Sequence, residues 1–375
     1  MSSEKSPGTV AAAADERLAD PGFLADADPG EVEPLLDAAS TPGARSAAVV
    51  YRESVHLHRD TAPEVRRHSG ACAVTTAVVD GRPVAVTGNG DKTVRVWDLA
   101  TGQQIGEPMK GHTSWVEAVA TAELDGRPVA VTVSGDTTVR VWDLATGRQI
   151  GEPMKGHTAE VRAVATAVVD GRPVAVTGSH DETVRVWDLA SGRQIGEPAV
   201  TGHSNEVWAV ATAVVDGRPV AVTGSMDETV RVWDLATGQQ ICAPLEGHTD
   251  VVNAVATAEL DGRPVVVTVS GDTTVQVWDL AAGQRIHGPL TGHGSEVWAV
   301  ATAVVDGRPV AVTGSMDGTV RVWDLATGRQ IGPALVFPAE VHTVATTLDG
   351  RLVVGFGAEV AVLAHRAQPT CETNR

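Results

Sequence analysis

The chain has 375 residues, of which 43% are hydrophobic and only 3% aromatic, and its formal net charge is -18. Valine and alanine dominate the apolar residues, which favours β-strands over a leucine-rich helical core. Because so acidic a chain repels phosphate, we expect neither nucleic acid nor an anionic membrane surface as a partner.

Signals for targeting, cross-linking and metal binding are weak in this sequence. Cys72, Cys242 and Cys371 lie far apart without a Cys-x-x-Cys pair, so neither a zinc site nor a disulfide framework is predicted, and no cofactor is expected. The first residues lack the apolar core of a signal peptide, and no apolar run approaches the ~18 residues that span a bilayer. We therefore expect a cytoplasmic protein.

The N-terminal part differs in composition from the rest of the chain. Residues 1–30 are rich in Ala, Asp, Gly and Pro, which predicts a disordered tail. The composition of residues 31–65 favours a helical extension. Within it, VVYRESVHLH at 49–58 also alternates between apolar and polar residues, so a strand that closes a sheet formed by the C-terminal part is the alternative.

A repeat of 45 or 46 residues fills the remainder of the chain. The dipeptide Trp-Asp marks it six times, at Trp97, Trp142, Trp187, Trp233, Trp278 and Trp323. Each unit, such as VVDGRPVAVTGSHDETVRVWD at 168–188, contains alternating runs joined by an Asp-Gly pair and by a polar turn. Asp-Gly indicates a two-residue hairpin, because both turn residues need positive φ. Four short strands per unit cannot bury their own faces, so each unit must stack on the next.

Five units also carry a Gly-His pair about 30 residues before the Trp-Asp, at His112, His157, His203, His248 and His293. With these pairs the chain resembles the WD-repeat β-propeller family, and in particular bacterial members that form the sensor region of larger signalling proteins. The resemblance implies an all-β propeller of seven blades over residues 66–365, with six blades as the alternative count. The expected blades are 66–110, 111–155, 156–201, 202–246, 247–291, 292–335 and 336–365, followed by a C-terminal tail at 366–375.

The two terminal units depart from the pattern. Arg66-Arg67 stands where the first Gly-His would be, and Val336-Phe337 stands there in the last unit, which also has no Trp-Asp. Terminal repeats are often atypical. In this family a strand from the other terminus usually closes the ring, so the fourth strand of the last blade is expected to be missing or supplied from elsewhere.

Each complete unit places His, Thr, Asp and Trp at fixed offsets, which imitates a catalytic triad. Five equivalent copies argue against catalysis, because an active site needs one preorganised constellation. A buried Asp must be hydrogen-bonded, and His and Thr can link it to the Trp N–H. In the resembling family this tetrad is structural, so no catalytic or metal-binding residue is predicted. The tetrads are His112, Thr132, Asp136, Trp142; His157, Thr177, Asp181, Trp187; His203, Thr223, Asp227, Trp233; His248, Thr268, Asp272, Trp278; and His293, Thr313, Asp317, Trp323.

The resemblance also implies three contact positions per blade on one face of the disc. They are the third and fifth residues after the His and the residue before the tetrad Asp. In blades two to six they are Trp115, Glu117, Gly135; Glu160, Arg162, His180; Glu206, Trp208, Met226; Val251, Asn253, Gly271; and Glu296, Trp298, Met316. The shifted last blade contributes Glu340 and His342.

Every Trp outside the Trp-Asp pairs falls on this face, beside glutamates and two methionines. That is the composition of a protein-binding hot spot, although packing between blades is an alternative use of these rings. We predict a non-catalytic scaffold or sensor that binds a protein or peptide of apolar and basic character. The alternatives are an enzyme that uses the central channel, for which no His, Asp or Glu cluster confined to a few blades is evident, and a remnant of a larger signalling protein.

Overall fold

The computed structural model describes residues 55–58, 71–347, 351–357 and 359–363. These residues form 28 β-strands and their connections, without a helix, and so the described chain offers no helical segment of the length and apolarity that a membrane span requires. The strands form seven antiparallel sheets. The innermost strands of successive sheets contact one another, and the last contacts the first. The fold is therefore the all-β, seven-bladed propeller predicted from the repeat, and the alternative count of six is wrong.

The first three blades have four strands each, from the centre of the disc outwards. Their bounds are β2 Ala71–Val79, β3 Arg82–Asn89, β4 Thr93–Asp98 and β5 Gln104–Lys110 in blade 1; β6 Val116–Leu124, β7 Arg127–Ser134, β8 Thr138–Asp143 and β9 Arg148–Lys155 in blade 2; and β10 Val161–Val169, β11 Arg172–Ser179, β12 Thr183–Asp188 and β13 Arg193–Thr201 in blade 3.

The outer edge is more fragmented in the next three blades. Their strands are β14 Val207–Val215, β15 Arg218–Ser225 and β16 Val230–Asp234 in blade 4; β17 Val252–Leu260, β18 Arg263–Ser270, β19 Val275–Asp279 and β20 Gln284–Arg285 in blade 5; and β21 Val297–Val305, β22 Arg308–Ser315, β23 Thr319–Asp324, β24 Arg329–Gln330 and β25 Leu335–Val336 in blade 6. In blade 4 the fourth strand is reduced to the bridges Val230–Leu245 and Trp233–Gln240.

The last blade joins the two ends of the described chain. It contains β26 Val341–Thr346, β27 Leu352–Phe356 and β28 Glu359–Leu363, and its outermost strand is β1, Val55–His58. Val55 lies opposite Val362 in this antiparallel pair. The pairing covers an edge of β28 that would otherwise expose unpaired backbone groups.

Strand β1 corrects the expectation for the N-terminal extension. At residues 55–58 the chain is a strand and not a helix, because pairing with β28 satisfies its backbone. The propeller consequently takes in residues before the predicted start at 66. The other residues of 31–65, and the predicted tails 1–30 and 366–375, lie outside the described residues.

The Asp-Gly pairs form the predicted tight turns between the first and second strands of the blades. Asp80 and Gly81 have φ of 50° and 75°, and Asp170 and Gly171 have φ of 49° and 75°. Both residues of a type I′ turn need such positive values, which Asp tolerates and Gly adopts freely. The turns all lie at the same end of the disc, opposite to the Gly-His loops.

The hydrophobic core lies between blades and not within one. Val86 and Val94 of blade 1 pack with Val116 and Trp142 of blade 2, and all four are buried. The same arrangement recurs from blade 2 to blade 3, where Val131 packs with Trp187. Each Trp of a Trp-Asp pair therefore seals the interface with the preceding blade, as expected for stacked repeats.

Seven threonines connect the innermost strands in a closed ring. Each side-chain hydroxyl donates a hydrogen bond of 2.7 to 3.2 Å to the backbone carbonyl of the equivalent threonine in the preceding blade, through Thr76, Thr121, Thr166, Thr212, Thr257, Thr302 and Thr346. The ring fixes the spacing of the inner strands and thus the width of the channel. The ring was not predicted from the sequence, although a threonine recurs as the sixth residue of every inner strand.

Candidate functional site

The tetrad of blade 2 forms a chain of hydrogen bonds. The Trp142 indole N–H donates to Thr132 Oγ1 at 2.8 Å, His112 Nε2 lies 2.8 Å from the same oxygen, and His112 Nδ1 lies 2.9 Å from Asp136 Oδ2. Because an indole nitrogen can only donate, the threonine proton is available to Nε2. The network therefore assigns the ring proton to Nδ1, which donates it to the aspartate.

Four further blades have the same network. The Nδ1-to-carboxylate distances are 2.9 Å for His157–Asp181, 2.8 Å for His203–Asp227, 2.8 Å for His248–Asp272 and 3.2 Å for His293–Asp317. The bridging threonines are Thr177, Thr223, Thr268 and Thr313, which accept from Trp187, Trp233, Trp278 and Trp323. All five histidines are buried, so these rings position the turns of each blade and are closed to a substrate.

The tetrad aspartates are held in their charged form. Burial by itself raises the pKa of Asp136, but hydrogen bonds from the His112 ring, the Thr138 hydroxyl and the Thr113 amide outweigh it and hold the pKa well below its ordinary value. The pKa of Asp227 is depressed in the same way, against burial, by His203 and Thr229. These carboxylates are structural anchors for the turn between the second and third strands.

Every inner strand also contains a β-bulge. Unlike the tetrad residues, the bulged residue differs between most blades. In blade 4, Val207 pairs with Ser225 and Ala209 with Gly224, which leaves Trp208 as the extra residue. Such bulges re-aim a side chain out of the regular alternation. The bulged residues are Cys72, Glu117, Arg162, Trp208, Asn253, Trp298 and His342. They surround one end of the central channel, which we call the channel mouth.

Side chains from four blades meet at the channel mouth. Trp208 of blade 4 contacts Trp298 of blade 6 edge-on, with ring centroids 6.1 Å apart, although blade 5 lies between them. The Arg162 guanidinium lies 4.7 Å from the centroid of the Trp208 ring and pairs with Glu117 at 2.7 Å. The His180 ring stacks on Trp208 at 6.0 Å. We call these five residues, together with Glu206, the mouth cluster.

Carboxylates fix the orientation of both tryptophans. The indole N–H of Trp208 donates to Glu206 Oε2 and that of Trp298 donates to Glu296 Oε2, each at 3.0 Å. A buried or half-buried indole N–H usually finds such a partner. Each ring is thereby held at a defined angle over the channel.

His180 lies between two carboxylates. Its Nε2 is 3.4 Å from Glu206 Oε2, and its Nδ1 is 3.7 Å from Glu160 Oε2. Burial raises the pKa of Glu117, and the Arg162 charge offsets part of that effect. Burial lowers the pKa of His342 in blade 7, and Glu340 offsets part of that shift. Among the described residues, the mouth thus contains several carboxylates and one guanidinium, which is already paired.

Sequence comparison identifies the repeats. The family described as WD domain, G-beta repeat matches residues 102–143, 147–188, 196–234, 239–279 and 284–324, which is more than half of the chain. The chain belongs to the WD-repeat family. No individual curated protein matches it.

The remaining face positions of this WD-repeat propeller are spread around the mouth cluster. Trp115 is 40% exposed and Met226 is 41% exposed. Glu160 and Glu296 are exposed, whereas Val251, Asn253 and Met316 are partly buried. Trp208 and Trp298 are also only partly exposed. These two rings therefore contact neighbouring blades and still present surface at the mouth, while Trp115 lies outside the cluster.

The mouth cluster is asymmetric, and the sequence did not predict this asymmetry. Its ionisable residues Glu117, Arg162, His180 and Glu206 come from blades 2 to 4. In the described part of the chain, no group of three or more His, Cys, Asp and Glu residues is arranged to hold a metal ion. The arrangement is suited to binding a charged or aromatic group.

The other end of the channel has a different character. A cavity of about 760 Å³ is lined there by residues of blades 1, 2, 6 and 7, mainly threonine, alanine and valine. Among the lining residues that the structure describes, Glu123 is the single titratable side chain.

Proposed function

We propose that this WD-repeat propeller is a non-catalytic interaction module, and that its channel mouth binds a protein segment of apolar and basic character. The observation that carries the proposal is the contact between Trp208 and Trp298. Two aromatic rings that meet at the centre of one face supply the apolar anchor of a hot spot. WD-repeat propellers are commonly scaffolds for protein interactions, which supports the same function.

Charge at the mouth supports a basic partner. Glu160, Glu296, Glu340 and Asp250 are exposed there, whereas Arg162 is neutralised by Glu117. An acidic rim around an apolar centre attracts basic segments and speeds their association. A cytoplasmic location and a role in a signalling assembly remain predictions from the sequence.

A peptide-display selection on the full-length protein tests the proposal. We expect enriched peptides that combine Arg or Lys with apolar residues, and we expect the double variant Trp208→Ala/Trp298→Ala to weaken their binding by at least about tenfold. The matched control is Val214→Ala/Val304→Ala. These valines are 62% and 70% exposed at the other ends of the same two inner strands, and their loss should leave binding unchanged. Peptides that bind the tryptophan variant as tightly as the wild type would contradict the proposal.

A further inference from the structure

Trp208 and Trp298 occupy identical strands with different neighbours. Strands β14 and β21 have the same sequence, VWAVATAVV. The blade before Trp208 supplies Arg162 and His180 at two face positions. In the blade before Trp298, the corresponding residues are Asn253 and Gly271. One propeller therefore contains the same tryptophan in a setting filled by Arg162 and His180 and, in blade 6, in a setting that lacks both groups, which we call unfilled although the Trp208 ring contacts Trp298 there.

The filled setting shows which chemical groups pack against a tryptophan ring at this position. A guanidinium lies 4.7 Å from the Trp208 ring centroid, and an imidazole stacks on the ring with 22° between the planes. Both are planar nitrogen groups that can carry positive charge. Their attraction to an indole comes from the ring quadrupole and from stacking.

The unfilled setting lacks both groups. Asn253 turns its amide to the Val297 carbonyl, to which it donates at 3.0 Å, and Gly271 has no side chain. Among the residues that the structure describes, the ring packed against Trp298 is that of Trp208, and no guanidinium or ammonium lies over the Trp298 ring.

Two carboxylates remain beside this unfilled position. Glu296 accepts the Trp298 N–H through Oε2. A Cβ placed on Gly271 would lie 3.0 Å from Asp250 Oδ2, while Asp250 Oδ1 accepts the Val251 N–H at 2.7 Å. Glu296 takes the place that Glu206 has in blade 4, whereas Asp250 takes the place of Ala159 and approaches Gly271 from one residue before the Glu160 position.

We infer that Trp298, Glu296 and Asp250 form a receptor for one arginine side chain of the partner. The arginine would lie beside Trp298 where Arg162 and His180 lie beside Trp208. Arginine fits better than lysine, because a planar guanidinium stacks on an indole and donates to carboxylates in the same plane. The inference rests on the proposed function and names the group that the mouth recognises.

Titration with small probes tests the receptor directly. The probes are N-acetyl-arginine amide and its neutral isostere N-acetyl-citrulline amide, added to full-length protein with ¹⁵N-labelled tryptophan. We expect arginine to shift the Trp298 indole N–H signal saturably and citrulline to leave it in place. Trp298→Phe assigns that signal, and the indole signals of the tetrad tryptophans report that the propeller is folded.

Reciprocal variants provide the matched controls. Asn253→Arg/Gly271→His places the blade 3 pair beside Trp298 and should abolish the arginine-dependent shift. Arg162→Asn/His180→Gly places the blade 5 pair beside Trp208, and a second indole signal, that of Trp208, should then respond to arginine. Because the two variants change different blades, failure of one to fold still leaves the other as a test.

The possible results separate this inference from the proposed function. An unresponsive Trp298 signal, or an equal response to citrulline, overturns the receptor. If display peptides require Trp208 and Trp298 but tolerate replacement of arginine by citrulline, the interaction function stands and the receptor is wrong. If arginine shifts Trp298 but no peptide binds the mouth, the proposed function is wrong. We expect the citrulline replacement to weaken peptide binding by about tenfold.

Discussion

At the scale of single residues, the tetrad aspartates couple the stability of the propeller to pH. The pKa values of Asp136, Asp181, Asp227, Asp272 and Asp317 are all lowered in the folded protein. A depressed folded-state pKa means that the unfolded chain binds protons first as the pH falls. The stability from these groups is therefore present above the unfolded pKa, about 4, and is lost as the pH decreases towards the folded values.

We accordingly predict a shallow decrease in the free energy of unfolding from pH 7 to about 5, because burial lowers the pKa of His293 and His342, and a steep decrease below about pH 4 from the tetrad aspartates. Asp227→Asn should lower the free energy of unfolding by on the order of 3 kcal/mol at neutral pH, because it leaves a buried network incomplete. The free energy of unfolding of this variant should also decrease less steeply in acid than that of the wild type. Urea unfolding between pH 3 and 7 measures both. The control is Asp216→Asn in an exposed turn of the same blade. If the free energy of unfolding of Asp227→Asn decreased in acid as steeply as that of the wild type, Asp227 would not couple stability to pH.

The turn between the second and third strands also contains backbone strain. Thr273 has φ of 69°, a left-handed value that is unfavourable for a β-branched residue, and Gly318 takes the equivalent position in blade 6 with φ of 73°. We predict that Thr273→Gly stabilises the protein by roughly 0.5–1 kcal/mol, since relief of strain exceeds the entropy that glycine adds to the unfolded chain. Thr274→Gly, one residue later, is the control and should destabilise, because Thr274 Oγ1 donates to Asp272. Chemical denaturation of both variants measures the difference.

At the scale of strands, closure of the ring depends on β1. Its pairing with β28 joins the N-terminal part of the described chain to the last blade. We predict that deletion of residues 1–58 lowers the thermal midpoint and promotes self-association through the exposed edge of β28. Deletion of residues 1–50 retains β1 and should behave like the full chain. Thermal melts with sedimentation analysis compare the two, and equal midpoints would show that β1 contributes little to closure.

The hairpin turns between strands could be predicted from the sequence, but the contacts between blades could not. Asp80-Gly81 predicted its hairpin because a two-residue turn restricts φ at both positions. The contact between Trp208 and Trp298 skips a whole blade, so no single repeat encodes it. Strand β1 was predicted only as the alternative to a helix, because alternation over ten residues competes with helical composition until a partner edge is known. The face positions required the family resemblance, and their grouping into one cluster required the structure.

At the scale of the whole molecule, the repeats are nearly interchangeable. The units 202–238 and 292–328 differ only at residues 204 and 294, 205 and 295, and 228 and 318. In the structure they form equivalent strands, and the core of each blade is completed by its neighbour. Because the same interfaces can form between blades in the wrong order or between two chains, misassembly competes with correct ring closure.

We therefore predict that recovery of folded monomer after dilution from denaturant falls as the protein concentration rises. A slow phase alone would not establish this, because the chain has 20 prolines, and their isomerisation also slows refolding. Proline isomerisation is independent of protein concentration, whereas blade exchange between chains is not. Refolding across a hundredfold range of concentration, read by size-exclusion chromatography, distinguishes the two causes. A monomer yield that stays constant over that range would mean that the few differing residues, together with closure by β1, are enough to specify blade order.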